Sequence, residues 1–123
     1  IADNFVVMAQ YLKDENIAKI DLSNLQCIES RDQHEMNRCW NIRAELARTV
    51  LDTTLEQQLY SNYDMQKYLE EFKLTQTAWE KYRDVQCAAE ISLWKEGSME
   101  SFIFNNCYTR LTDERIKVLK NLY

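Results

Sequence analysis

A chain of 123 residues, 46% of them hydrophobic, fits one domain with one real core. Its net charge of −5, from 20 acidic and 15 basic residues, argues against nucleic acid, whose phosphates require a basic stripe. One glycine and no proline leave little turn chemistry for sheets and hairpins, so the expected fold is all-α.

Residues 1–13 carry Phe5, Val6, Val7, Met8, Tyr11 and Leu12 and read as a short amphipathic helix, capped near Asp3. Lys13 to Asn24 is polar, anchored by Ile17, Ile20 and Leu22, and residues 1–26 are taken together as an N-terminal helical extension. The first long helix is expected from about Asp32 to Leu59. Asp32 stands as N-cap, with Glu35 three residues on as in a capping box. Met36, Cys39, Trp40, Arg43, Leu46, Ala47, Val50, Leu51, Thr54, Leu55 and Leu59 recur at steps of mostly three and four and form one buried stripe.

Tyr60 to Asp64 is the best break, with Ser61 as a cap for the next helix. That second long helix is expected from about Asn62 to Lys95. Its inner face is Met65, Tyr68, Leu69, Phe72, Gln76, Trp79, Tyr82, Arg83, Cys87, Ile91 and Trp94. Gly97 stops it, since glycine takes the left-handed conformation just past a helix end at little steric cost. Ser98 caps a third helix, which turns Met99, Phe102, Ile103, Cys107, Leu111, Val118, Leu119 and Leu122 inward, and Thr112 offers a fresh start inside it. Short connections make successive helices antiparallel, so the architecture is a bundle of three long helices with a short N-terminal helix.

Four cysteines, at 27, 39, 87 and 107, suggest two disulfides and an oxidising compartment. Cys87 lies ten residues before Gly97 and Cys107 ten after it, so the two face each other across a helical hairpin. A chain folding back before the first helix brings Cys27 to Cys39. The preferred pairing is therefore 27–39 with 87–107. The same counting about residue 63 sets Cys39 opposite Cys87, so 39–87 with 27–107 stands as a rival. No CxxC spacing points to a structural zinc, and no cofactor is expected. No apolar run reaches the ~18 residues of a membrane span. No charged-then-apolar leader opens the sequence, which matches a secreted chain after signal-peptide removal.

Reactive groups do not converge. Glu70-Glu71 and Asp113-Glu114 are adjacent acids that point in different directions from a helix, and His34 is the only histidine. There is no GxSxG and no phosphate-cradling glycine loop, so no catalytic residue is assigned and the protein is read as a non-enzyme. Trp79 and Tyr82 are expected in the core. Arg83 is expected to pair with Glu35 or another acid across the bundle.

One family carries these residues in this order. Cys27, then Gln33, Glu35, Met36, Asn37 and Cys39, form a first block; Gln76, Ala78, Trp79, Tyr82, Arg83, Asp84 and Cys87 a second; Gly97, Ser98 and Met99 a third; Cys107, Leu111, Thr112 and Arg115 a fourth. Together they resemble the LprI-like domain of bacterial envelope proteins, named for a lysozyme inhibitor, over residues 27–123. Asp32 replaces the family's usual threonine cap. Where members often carry Ala-Asp-x-x-Leu-Asn, this chain has Ala47, Arg48, Leu51 and Asp52.

The resemblance implies a periplasmic or extracellular domain whose partner is a protein. The first reading is an inhibitor of lysozyme-type muramidases, with the acidic charge steering it toward enzymes that are often basic. An immunity or adaptor protein for another envelope effector, or a structural envelope module, are the alternatives. Two binding surfaces are expected: the loop Gly97, Ser98, Met99 and Glu100, and a polar patch of Gln33, Asn37, Arg83 and Arg115.

Overall fold

The computed structural model describes Cys27, residues 32–94 and residues 99–122. The expected helix over residues 1–13, and the extension to residue 26, lie outside them. Within them the fold is all-α, as the composition requires. Three long helices follow one another: α1 Gln33–Leu55, α2 Leu69–Leu93 and α3 Glu100–Lys120. The second long helix thus starts later than Asn62, behind two short turns. The disulfides are Cys27–Cys39 and Cys87–Cys107, the preferred of the two pairings, with Cα atoms 5.6 Å apart in each.

Asp32 is extended, and its carboxylate accepts the Glu35 N–H at 2.9 Å, satisfying one of the free amides of the first turn. At its other end α1 widens into a π turn, Glu56–Tyr60, closed by the Ser61 N–H donating to the Glu56 carbonyl at 2.8 Å. The wider turn keeps Leu59 fully buried while Tyr60 emerges. A 3-10 turn, Tyr63–Tyr68, then leads into α2. Asn62 rather than Ser61 caps it, its side-chain oxygen accepting the Asp64 N–H at 3.0 Å. The Gln66 amide locks this corner by donating to the carbonyls of Leu59, Tyr60 and Asn62. A glycine-free reversal is possible because a side chain collects the carbonyls that the helix end releases.

Helix α3 is the middle of the bundle. It packs most extensively on α1 and also runs along α2, whereas α1 and α2 meet chiefly around the turn that joins them. Two apolar clusters result. Leu51, Leu55, Leu59, Met65, Ile116 and Leu119 fill the end nearest that turn. Cys87, Cys107 and Leu111 form a smaller cluster around the second disulfide. Trp79 packs against both. At the far end of α1, Trp40 meets Phe102 edge to face, with centroids 6.2 Å apart.

Several inward assignments need correction. Thr112 does not restart a helix: α3 is continuous through it, and Thr112 is fully buried. Packing on both flanks overrides the local capping option, and Asp113 instead reaches Arg43 of α1 at 3.1 Å. Tyr82 is not core but 54% exposed. At about 100° per residue it lies on the flank of the stripe, and Arg83 takes the inward place. Tyr68, Trp94 and Val118 are exposed as well.

Candidate functional site

The first expected surface divides at its start. Gly97 and Ser98 lie outside the described residues. Met99 bounds α3 without a side-chain cap, and Glu100, in the first turn, is exposed. Met99 lines a shallow hollow of about 190 Å³ with Glu90, Trp94 and Phe102.

The second expected patch separates into two pairs. Gln33 donates to the Asn37 side-chain oxygen at 2.7 Å, along the first turns of α1. Gln33 is two turns before Trp40, which marks the level of Phe102 on α3. Arg115 stands 13 residues further along α3, roughly 20 Å at 1.5 Å per residue. Gln33 and Asn37 therefore do not share a surface with Arg115.

Arg83 and Arg115 do come together, over the ring of Trp79. The Arg83 guanidinium carbon is 5.2 Å from the ring centre and that of Arg115 is 6.0 Å away. Arg83 also covers Tyr108, at 4.8 Å. Helix spacing produces this: Trp79 and Arg83 are one turn apart on α2, and antiparallel α3 brings Tyr108 and Arg115 to them from the other side. Each stack is worth about 0.5–1 kcal/mol where exposed and ~2 when desolvated. Arg83 binds Asp84 on its own helix at 2.9 Å, so its partner is a neighbour in sequence.

Arg115 is different. Its Nε donates to Gln76 Oε1 at 3.0 Å and one Nη to Thr75 Oγ1 at 3.2 Å, both neutral acceptors. Among the described residues no carboxylate pairs with it, unlike Arg43, Arg48, Arg83 and Arg110. Burial pulls its pKa below the usual arginine value. Among the described residues, these two hydrogen bonds leave further guanidinium N–H groups unused. Gln76 is buried, and with its oxygen held by Arg115, its Nε2 has no partner among the described residues. Among the described residues this is a half-buried cation with no carboxylate partner beside an unpaired amide, a costly arrangement that an anionic group would relieve.

Tyr108 belongs to none of the motifs. Arg83 of α2 covers its ring, and it lines a hollow with Glu45 and Arg48 of α1. Arg48, one of the two places where the chain departs from the family's first-helix pattern, therefore borders Tyr108, and Asp52, the other, follows one turn later on α1. Burial pushes the Tyr108 phenol above its ordinary 10.0, and the Arg83 charge partly offsets this. The protonated phenol is favoured in the folded state, so its contribution to stability is complete below pH 10 and is lost as pH rises through the folded value. In an absorbance titration near 295 nm, the phenol missing from Tyr108→Phe is expected to be one that ionises late. Arg83→Ala is expected to delay it further. Ionisation of Tyr108 together with the exposed tyrosines would contradict its burial.

The other chemical candidates stay apart. Glu70 pairs with Lys73 at 3.3 Å, Asp113 with Arg43, and Glu71, Glu114 and His34 are exposed. Among the described residues no group of three His, Cys, Asp or Glu side chains is placed to hold a metal. None of the described helices is long and apolar enough to cross a membrane.

No curated protein and no solved structure matches the chain. The family model described as lysozyme inhibitor LprI matches residues 26–119, a span that holds all four cysteines, Trp79, Arg83 and Arg115. The chain belongs to the LprI lysozyme inhibitor family.

Proposed function

We propose that this protein is a non-catalytic inhibitor of a lysozyme-type muramidase, working in the periplasm or outside the cell, and that Arg115 and Arg83 on Trp79 form its reading face. Family membership over residues 26–119 is the observation that carries the reading. The charges support it at two ranges. A net charge of −5 draws the protein toward a basic enzyme from a distance. At contact, glycoside hydrolases of this kind present paired carboxylates in a cleft, and Arg115 is a cation with no carboxylate of its own among the described residues. Its planar fork is suited to bidentate carboxylate recognition. The disulfides suit an oxidising compartment.

The test is clearing of a peptidoglycan suspension by purified muramidases of several classes, with and without the protein. Inhibition is expected for at least one class, weakening as salt rises because charge steers the encounter. Arg115→Ala together with Arg83→Ala is expected to weaken inhibition at least tenfold, about 1.4 kcal/mol of binding, with helix content unchanged. Met99→Ala with Glu100→Ala tests the loop; a loss confined to that pair would move the reading face there. Full activity of every class at large excess of the protein would overturn the inhibitor reading and favour another envelope effector as target.

A further inference from the structure

Helix α1 buries a second side, turned away from α3. Trp40 meets Phe102 and so marks the side that faces α3. Ile42, two residues on, stands about 200° around the helix from Trp40, and Leu46 lies one turn beyond Ile42. Neither belongs to the two apolar clusters of the bundle. Both are nevertheless out of water, Ile42 only 4% and Leu46 only 3% exposed. Asn41, Arg48 and Asp52 show how an uncovered side of the same helix looks, since all three are exposed. Two aliphatic side chains kept dry outside both clusters take their cover from the rest of this chain, which is residues 1–26, 28–31, 95–98 and Tyr123.

The Cys27–Cys39 bridge selects among these. Cys39 stands three residues before Ile42, on the same side of α1, and holds Cys27 there. Five residues after Cys27, Asp32 caps the start of α1, roughly 10 Å back along the helix from Cys39. Residues 28–31 are therefore committed to the span between Cys27 and Asp32, on the far side of Cys39 from Ile42. Residues 95–98 join Trp94 to Met99, which sit with Phe102 on the α3 side. Tyr123 follows Leu119 at the other end of the bundle. That leaves residues 1–26, which end at the bridge itself. Ile42 and Leu46 lie about 5 and 10 Å beyond Cys39. Leu25, Leu22, Ile20 and Ile17 stand two, five, seven and ten residues before Cys27. At a chain rise anywhere from about 1.5 to 3.3 Å per residue, these apolar residues span that distance. The charges agree. Leu46 also lines a hollow between α1 and α3 with Arg43, Lys117 and Lys120. Among the described residues the two lysines have no ion pair, and Asp14, Glu15 and Asp21 lie in the stretch that passes them.

We infer that residues 14–26 are the cover: they run along α1 from the bridge and lay Ile17, Ile20, Leu22 and Leu25 over Ile42 and Leu46. The family match begins at residue 26, so the cover comes from outside the matched domain. The extension is then a fixed part of the bundle and not an arm free to meet a partner. It lies on the side of α1 away from α3, so the Trp79 platform between α2 and α3 stays open. The inference does not depend on the inhibitor reading.

Photo-cross-linking of the full, oxidised chain reads the cover directly. A photoreactive phenylalanine analogue is placed at Thr49, which is partly buried and three residues beyond Leu46. In dilute solution its cross-links are expected within one chain and to residues 14–26. Cross-links to residues 28–31 or 95–98, cross-links only between chains, or none to residues 14–26, overturn the proposal. A second measurement removes the cover. Ile20→Glu with Leu22→Glu is expected to expose Ile42 and Leu46 and to raise the fluorescence of added anilinonaphthalene sulfonate about threefold. Phe5→Glu with Val7→Glu, outside the covering stretch, is expected to leave it near wild type. Equal dye binding by wild type and the Ile20–Leu22 pair overturns the proposal too. The cross-link is read with the cover intact, so it decides the matter even where a charge variant unfolds.

Discussion

Replacing Cys87 and Cys107 together by alanine is expected to lower the unfolding free energy by about 3 kcal/mol. The bridge closes a loop of sequence separation 20, and the chain-entropy estimate for a loop of that length is about 3 kcal/mol at 25 °C. Both sulfurs are fully buried and pack with Leu111 and Trp79, so truncation also opens space that the helices must refill. A domain of this size has a margin of only about 6–18 kcal/mol, at roughly 0.05–0.15 kcal/mol per residue, so the loss is a substantial share. Urea unfolding of the double variant against wild type measures it. The Cys27–Cys39 bridge, with separation 12 and Cys39 partly exposed, is expected to contribute less. A loss below about 1 kcal/mol for the buried bridge would mean that α2 and α3 hold each other without it.

The bundle is legible in the sequence because its signals are local and repeated. Leu46, Ala47, Leu51, Thr54, Leu55 and Leu59 are buried as their spacing requires, and counting about Gly97 places Cys87 opposite Cys107. The corner between α1 and α2 is less legible. No pattern announces a π turn, and the Gln66 amide that closes it is an ordinary polar residue until the three carbonyls are in place. The candidate site is only partly legible for the same reason. Arg83 and Arg115 stand out through the family motifs, but Tyr108 belongs to no motif and gains its role from where α3 crosses α2. Tyr82 and Arg83 both read as inward; one helical position cannot give both the same place, and the stack with Trp79 decides for the arginine.

Trp79→Ala is expected to have the largest effect of any single substitution, about 3–5 kcal/mol, as for large-to-small changes in a core. The ring is only partly buried, which by itself argues for less. It nevertheless packs against both apolar clusters, so its removal weakens the end near the α1–α2 turn and the disulfide end together. It also removes the surface on which Arg83 and Arg115 rest, at 5.2 Å and 6.0 Å. Trp79→Phe keeps an aromatic face with less area and is expected to recover part of the stability. The two variants separate packing from presentation of the cations. If stability returns with phenylalanine and muramidase inhibition returns with it, the ring serves as the platform for Arg115. If the alanine variant loses less than about 1 kcal/mol, Trp79 is not a packing residue and is free to meet a partner directly. Denaturant unfolding of both variants, followed by the clearing assay on whichever stays folded, decides between these roles.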